Sequence, residues 1–177
     1  LFYKNDITRY MLDNISSEKK SNLIFSADLC DYNKIVNILH KIGKYIVVCK
    51  IHYDIIDNVN DFIPILIDLS IKYNFLIMED RKFNDISYIV NMQYKNYRNW
   101  VDLITVHSLV SNDVISNLSG VLIVANMSNN NYNFNTKAIS LAESNINNVI
   151  GFITQERIKY NNMICMTPGI SLEKKNI

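Results

Sequence analysis

Short apolar runs recur along the chain, and segments with an amphipathic helical pattern separate several of them. The runs are rich in Ile, Leu, Val and Phe and are too short for helices, which is typical of strands buried on both faces. They predict strands at 22–28, 45–51, 74–79, 101–106, 120–126, 148–153 and 163–166. Apolar spacing of about 3.6 residues predicts helices at 31–42, 56–73 and 135–145. This alternation restricts the chain to a parallel α/β fold.

Two parallel α/β folds are compatible with this order of elements, an open doubly wound sheet and a closed (β/α)8 barrel. A dinucleotide-binding sheet needs a glycine-rich loop directly after its first strand. The chain has 4 glycines and lacks such a loop; they are Gly43, Gly120, Gly151 and Gly169. We therefore predict a single-domain TIM barrel formed by residues 1–177, with about seven strands in this chain and the eighth missing.

Charged side chains follow the third apolar run. Asp80, Lys82 and Asp85 lie at i, i+2 and i+5, and alternation along a strand points Asp80 and Lys82 to the same side. Residues 83–85 are predicted to lie past the strand, where Asp85 caps a helix or joins its first turn. Opposite charges that converge can keep one another ionised with little water present, as in proton-transfer sites. A surface ion-pair cluster is the alternative interpretation.

The first two apolar runs also end in polar residues. Lys50, His52 and Asp54 alternate after the second run, and Ser26 and Asp28 lie at the end of the first. Buried charges are costly unless they are paired, so an ordinary interior strand would not carry these residues on one face. Polar groups at the carboxyl ends of several strands mark the active face of a parallel barrel. Asp54 has a second interpretation, as the cap of the following helix.

Seven motifs carry a resemblance to a known family. They are Ser26-Ala27-Asp28, Lys50-x-His52-x-Asp54, Glu79-Asp80-Arg81-Lys82-Phe83-x-Asp85-Ile86, Trp100-x-Asp102-x-Ile104-Thr105-x-His107, Ala125-x-Met127-Ser128, Gly151-Phe152-Ile153 and Met166-Thr167-Pro168-Gly169. In order and spacing they resemble orotidine 5'-monophosphate decarboxylase of the eukaryotic type, which occurs alone or as the C-terminal part of UMP synthase. The resemblance covers nearly the whole chain and implies a carbon–carbon lyase.

The resemblance implies that orotidine 5'-monophosphate (OMP) is decarboxylated at C6 to UMP and CO2 in de novo pyrimidine biosynthesis, without a metal or other cofactor. Lys82 would protonate C6, and Asp80 would lie against the departing carboxylate. Lys50 would hold Asp80 and the ribose hydroxyls, and Asp85 would complete the site of the partner subunit in a homodimer. The residues implied to bind substrate are Ser26, Asp28, Lys50, His52, Ser128 and Pro168. Fusion to an orotate phosphoribosyltransferase is a further partnership that the resemblance implies for some members.

The chain departs from the family pattern in two places. After Asp85-Ile86 the family usually has Gly-Asn-Thr, whose Thr contacts the phosphate in a neighbouring subunit's site, whereas Ile89 stands here at the third position. The family pattern also continues with a Gln-Gln-Tyr loop and an eighth strand ending in Gly-Arg, which holds the phosphate. Because the chain begins at Leu1 and stops at Ile177, we expect it to be part of a longer protein and, alone, to bind substrate poorly.

Two other functions stay open on the sequence. A sugar-phosphate decarboxylase or aldolase-like relative of the same superfamily would share the Asp-x-Lys-x-x-Asp spacing, and some of these use magnesium. An inactive remnant or assembly module would keep the fold but lose phosphate binding, which the missing eighth strand and Ile89 favour. Lys50-x-His52-x-Asp54, together with Glu79 before Asp80, favours the nucleotide decarboxylase over the sugar-phosphate enzyme.

Composition argues against several other classes. The net charge of +1 gives no bias toward nucleic acid. No run approaches the roughly 18 apolar residues of a membrane span, so we expect a soluble, cytoplasmic protein. The three cysteines lack the spacing of a zinc site or a disulfide framework, and reduced thiols are expected. Lys4, Lys19 and Lys20 are expected to be solvated.

Overall fold

Seven parallel strands form one sheet in the order in which they occur along the chain. The structure is a computed structural model, and it describes residues 4–127, 133–160 and 163–170. The strands are Leu23–Ser26 (β1), Ile46–Ile51 (β2), Leu76–Phe83 (β3), Leu103–His107 (β4), Val121–Val124 (β5), Val149–Ile153 (β6) and Ile164–Met166 (β7). Each overlaps a predicted strand, and the sheet curls into a partial barrel. The predicted TIM-barrel class is confirmed, and no eighth strand is present in the described ranges.

Six α-helices and one 3-10 helix accompany these strands in the described residues. They are Lys4–Lys19 (α1), Tyr32–Ile42 (α2), Tyr53–Ile55 (the 3-10 helix), Val59–Tyr73 (α3), Ser87–Tyr94 (α4), Asn112–Ile115 (α5) and Asn135–Ser144 (α6). The three predicted helices correspond to α2, α3 and α6. The other three were not predicted, because α4 and α5 have only 8 and 4 residues and α1 is mostly polar.

Alternation along the strands creates two separate apolar clusters. One cluster lies between the sheet and the outer helices, where Ile35 of α2 and Phe62 of α3 are fully buried. The other lies on the concave face of the sheet and receives two residues from α1, Leu12 and Ile15. The strand residues of this inner cluster include Val48, Leu76, Met78, Leu103, Leu122, Ile150 and Met166. The first helix therefore fills part of the space that a closed barrel would enclose.

Lys19 connects the end of α1 to the segment that leads into β2. Its ammonium group donates hydrogen bonds to the carbonyl oxygens of Gly43 (3.0 Å) and Ile46 (2.7 Å). The expectation that Lys19 is solvated is therefore wrong, because the end of α1 lies beside the carbonyl groups of Gly43, which precedes β2, and of Ile46, which begins it. Lys20 is exposed, as expected, and the side chain of Lys4 lies outside the described residues.

Strand β3 is longer than predicted and irregular in its second half. Glu79 pairs with Ile104, but the next pair in the register joins Phe83 to Val106, so four steps along β3 match two along β4. Lys82 has a left-handed backbone with φ +51°. The prediction that residues 83–85 lie past the strand is wrong for Phe83, which re-enters the ladder. The bulge at residues 80–82 interrupts the regular alternation of side chains between the two faces of the sheet.

Close approach of the last two strands requires a glycine in β6. A Cβ atom at Gly151 would lie 2.1 Å from the carbonyl oxygen of Ile164. A side chain at this position would therefore separate β6 from β7.

In the described part of the chain, no helix is both long enough and apolar enough to cross a membrane.

Candidate active site

The carboxyl ends of the first strands open into a cavity of about 1030 Å³ on the concave side of the sheet. Asp28 follows β1, Lys50 lies in β2, His52 follows β2, and Asp80 and Lys82 lie in β3. All five line the cavity, together with Ser26, Asn126, Met127 and Pro168. Parallel pairing places the ends of β1, β2 and β3 side by side, with Ser26 opposite Lys50 and Lys50 opposite Met78. The sheet thus brings together side chains separated by more than fifty positions in the sequence.

Alternating charges form a chain across this end of the sheet. The Lys82 ammonium group lies 2.7 Å from Asp80 Oδ2, and the Lys50 ammonium group lies 3.3 Å from the same oxygen. Lys50 also contacts Asp28 Oδ1 at 2.9 Å. The order is therefore Lys82, Asp80, Lys50 and Asp28. The surface ion-pair interpretation does not fit Asp80, whose side chain is only 11% exposed, although Asp28 at the end of the chain is 56% exposed.

The Asp80 carboxylate is stabilised in its charged form. Burial opposes its ionisation, but the hydrogen bond and charge of Lys82, the charge of Lys50 and a hydrogen bond from Thr105 outweigh burial. The pKa of Asp80 consequently lies below its ordinary value. A carboxylate that stays ionised with little water around it can hold an ammonium group in a fixed position.

His52 is a neutral neighbour of this charge chain. Its Nε2 atom lies 3.0 Å from the Lys50 ammonium group, 3.5 Å from Asp28 and 3.6 Å from Asp80. Burial and then the charge of Lys50 lower the pKa of His52, against the opposing effect of the two carboxylates. A neutral imidazole accepts the hydrogen bond from Lys50, and its other nitrogen is left for a ligand or solvent.

Thr105 on β4 joins the site, although no role was predicted for it. Its hydroxyl group donates to Asp80 Oδ1 at 2.8 Å and accepts from the backbone N–H of Lys82 at 2.8 Å. The side chain is fully buried. In the sequence, Thr105 stands out only as a polar residue within the apolar run 101–106. This feature does not identify the hydrogen-bond partners of its hydroxyl group.

Glu79 lies next to Asp80 but points to the opposite side of β3. It is 1% exposed and accepts a hydrogen bond from the backbone N–H of Tyr53 at 3.0 Å, which ties the segment after β2 to β3. Burial raises the pKa of Glu79 to about 8, against the opposing effect of the Tyr53 hydrogen bond. Asp54 pairs with Arg81 at 3.0 Å, and the cap of α3 is Asn58, so the prediction that Asp54 caps this helix is wrong.

Asp85 lies apart from the charge chain. It is exposed, and its carboxylate accepts a hydrogen bond from the backbone N–H of Ile86 at 2.7 Å. The residue that caps α4 is Ile86, so the predicted capping role of Asp85 is wrong. Within the described residues no ion pair joins Asp85 to the site of its own chain. Ser128, predicted to bind substrate, lies outside the described residues, whereas Pro168 lines the cavity.

The fold and the site together define a barrel protein with a cluster of paired lysine and aspartate side chains at the carboxyl ends of its strands. An ammonium group fixed against a carboxylate can donate a proton to a ligand bound in the cavity. Among the described residues, no group of three or more His, Cys, Asp or Glu side chains is arranged to hold a metal ion.

Comparison with known proteins identifies the family. Residues 21–177 match the Orotidine 5'-phosphate decarboxylase / HUMPS family. The orotidine 5'-phosphate decarboxylase of Pichia kudriavzevii is 35% identical over 193 residues, which cover 93% of this chain and 72% of the relative. That of Saccharomycopsis fibuligera is 32% identical over 190 residues, which cover 93% of this chain and 71% of the relative. The chain belongs to this family, and the predicted enzyme class, a carbon–carbon lyase, is confirmed by these relatives.

Solved structures show the same fold at lower sequence identity. Orotidine 5'-monophosphate decarboxylase from Methanocaldococcus jannaschii, complexed with the inhibitor BMP, is similar with a TM-score of 0.60 and 20% identity. The alignment covers 76% of this chain and 67% of that structure. The Plasmodium berghei decarboxylase has a TM-score of 0.57 at 13% identity, over 82% of this chain and 75% of that structure.

Replacing Glu79 tests the buried carboxyl group. Its pKa is raised from 4.5 to about 8, so the native state binds more protons than the unfolded state between these values. The free energy of unfolding should therefore fall as pH rises through this window. In Glu79→Gln, which can still accept from Tyr53, this loss should be smaller by on the order of 3 kcal/mol between pH 5 and pH 8.

The measurement is urea denaturation at several pH values, with Glu143→Gln, at an exposed position of helix α6, as the matched control. Asp54, Asp80, Arg81 and Tyr97 interact electrostatically with Glu79 and are unchanged in both variants. If the free energy of unfolding depends on pH equally in Glu79→Gln and in the original protein, the pKa of Glu79 is not raised in the folded protein.

Proposed function

We propose that this protein decarboxylates OMP to UMP and CO2 in de novo pyrimidine biosynthesis, and that residues 1–177 belong to a single catalytic domain. The observation that carries the proposal is the alternating chain Lys82, Asp80, Lys50 and Asp28 in the cavity. Membership of the family supports the reaction and the substrate. The family relation also supports a location in the cytoplasm and, for some members, fusion to an orotate phosphoribosyltransferase, and both stay predictions.

In this proposal the bond between C6 and the carboxylate breaks, CO2 departs, and the electron pair stays on C6. The Lys82 ammonium group then donates a proton to C6, and solvent restores the proton on Lys82. Asp80 lies next to the departing carboxylate and holds Lys82 by the 2.7 Å contact. The positive charge is already in place before the bond breaks, so little reorganisation is needed as the carbanion forms.

The remaining site residues are proposed to bind the nucleotide. Lys50, Asp28 and His52 form the side of the cavity where their donors and acceptors can bind ribose hydroxyls. Ser26 and Pro168 line the same cavity and are proposed, with Ser128, to contact the base. The two alternatives, a sugar-phosphate decarboxylase and an inactive remnant, are not favoured by the reported relatives, which are nucleotide decarboxylases by name.

The test of the reaction is an assay with OMP of the purified full-length protein, because residues 1–177 alone are expected to bind substrate poorly. We expect loss of OMP and equimolar release of CO2 in the presence of EDTA, without flavin or pyridoxal phosphate, because the charge chain supplies the acid and the stabilising cation. The measurements are nucleotide absorbance and radiolabelled CO2. A folded protein that needs added magnesium for turnover would favour the sugar-phosphate alternative, and one that is inactive in both conditions would favour the remnant.

Lys82→Ala tests the proton donor. Removing a general acid should lower turnover by at least about a hundredfold, while circular dichroism and the melting temperature change little. The matched control is Lys72→Ala, at the end of α3, where the ammonium group lies over the Tyr73 ring outside the site. Turnover within tenfold of the unmodified protein would show that Lys82 is not the acid.

We further propose that the protein forms a two-fold homodimer in which Asp85 completes the partner's site. Asp85 is exposed and lies two residues after the end of β3, and it is not paired with the described charges of its own chain. Exposed apolar side chains that follow it at the start of α4 and within α4 are proposed to form the contact surface; they are Ile86, Tyr88 and Met92. Ile89, which replaces the family's Thr, cannot donate a hydrogen bond to phosphate, so this contact has to be absent or replaced.

Subunit mixing tests the shared site. Neither Asp85→Ala nor Lys82→Ala alone should be active, but a mixed dimer has one site with intact Lys82 and an intact Asp85 from its partner. At random pairing about half of the dimers are mixed, so activity near a quarter of the unmodified value is expected from the symmetry. Activity no higher than in the parents, after subunit exchange is verified by mass spectrometry, would mean that Asp85 acts within its own chain.

A further inference from the structure

We propose that Thr105 is the positioning residue of this site, and that its hydroxyl group sets the direction of the Asp80 carboxylate and the backbone conformation of Lys82. The catalytic part of this inference rests on the proposed function, whereas its structural part does not. Thr105 lies on β4, one strand away from both residues, and it does not belong to the chain of charges.

The hydroxyl divides the two oxygens of Asp80 between different partners. Oδ1 accepts the Thr105 hydroxyl at 2.8 Å, while Oδ2 accepts the Lys82 ammonium group at 2.7 Å and lies near Lys50 at 3.3 Å. A carboxylate held only through Oδ2 could rotate about its side-chain torsions. The hydrogen bond to Oδ1 removes this freedom, so the oxygen that faces both ammonium groups stays the same one.

The same hydroxyl replaces a bond that the sheet cannot make. Residues 80–82 leave the β3–β4 ladder, because four steps along β3 match two along β4. The backbone N–H of Lys82 would then lie without a partner in a partly buried setting, which is costly. It donates instead to Thr105 Oγ at 2.8 Å. One oxygen therefore accepts from the backbone of the proposed acid and donates to the carboxylate that binds its side chain.

This arrangement accounts for the unusual backbone of Lys82. A residue other than glycine with φ of +51° is strained unless its surroundings hold it there. The bond from Thr105 holds the backbone on one side, and the Asp80 contact holds the ammonium group on the other. Thr105 is fully buried, so solvent cannot replace its hydroxyl without a rearrangement.

Thr105→Val and Thr105→Ser form a matched pair for the test. Valine keeps the shape and removes both hydrogen bonds, whereas serine keeps the hydroxyl and loses only a methyl group. We expect kcat for OMP to fall about 10- to 100-fold in Thr105→Val, with KM changed less than about threefold. Thr105→Ser should stay within about threefold of the unmodified protein in both constants. If Thr105→Val does not fold, Thr105→Ala is measured in its place.

Two measurements do not depend on turnover. In a crystal structure of Thr105→Val, Lys82 should leave the left-handed region or the Asp80 carboxylate should rotate. In an NMR titration of labelled aspartate, the pKa of Asp80 should rise in Thr105→Val and not in Thr105→Ser, because a hydrogen bond to the charged form is lost. Lys50, His52, Lys82 and, through Lys50, Asp28 face Asp80 from the neighbouring elements and are unchanged in both variants.

Unchanged Lys82 and Asp80 geometry in Thr105→Val would overturn the inference, and so would equal kinetic losses in the valine and serine variants. If the unmodified protein does not decarboxylate OMP, the proposed function fails, and the crystal structure and the titration still decide the role of Thr105.

Discussion

The buried carboxylate of Asp80 is the group on which the site depends. At 11% exposure it has lost most of its water, and burial alone would favour the neutral acid. Two ammonium groups and one hydroxyl replace the water and keep it ionised. Removing any one of these partners leaves a charge that is only partly compensated, which costs more than a surface pair would. The site residues therefore depend on one another, and Asp80 contacts both lysines and Thr105.

This dependence extends to the backbone of β3. The strand is regular through Glu79, where alternation also points the neighbouring carboxyl away from the cavity and under the segment that follows β2. It then leaves the ladder for three residues and returns at Phe83, which is buried against the outer cluster. Pairing with β4 at Glu79 and at Phe83 confines the irregularity to residues 80–82. Strain at a functional position is kept in place by regular structure around it.

Sequence patterns predicted the seven strands and helices α2, α3 and α6. They did not predict helices α1, α4 and α5, the bulge in β3 or the role of Thr105. The apolar runs gave all seven strands, and polar residues after three of them gave the cluster around Lys50, Asp80 and Lys82. The sequence did not indicate the bulge in β3. Alternation along a regular strand already predicts that Asp80 and Lys82 lie on the same side, so the pattern required no irregularity. Thr105 could not be assigned, since its partners depend on the register between β3 and β4. Helix α1 was missed because only a few of its residues, among them Leu12 and Ile15, are buried, so its apolar period is weak.

The balance of charge in the cavity favours the proposed chemistry. Lys50 and Lys82 formally cancel Asp28 and Asp80, and a neutral His52 adds nothing, so the array has no net charge before substrate arrives. A substrate carboxylate placed beside Asp80 adds a negative charge where water is scarce, and this repulsion is relieved when CO2 leaves. The charge that remains moves to C6, which lies nearer to Lys82 in the proposed arrangement. Interactions that improve as the bond breaks lower the barrier, whereas equal binding of both states would not. Because this repulsion acts only while Asp80 stays ionised and correctly directed, the proposed mechanism predicts that the hydrogen bonds that fix Asp80 contribute to the rate as well as to stability.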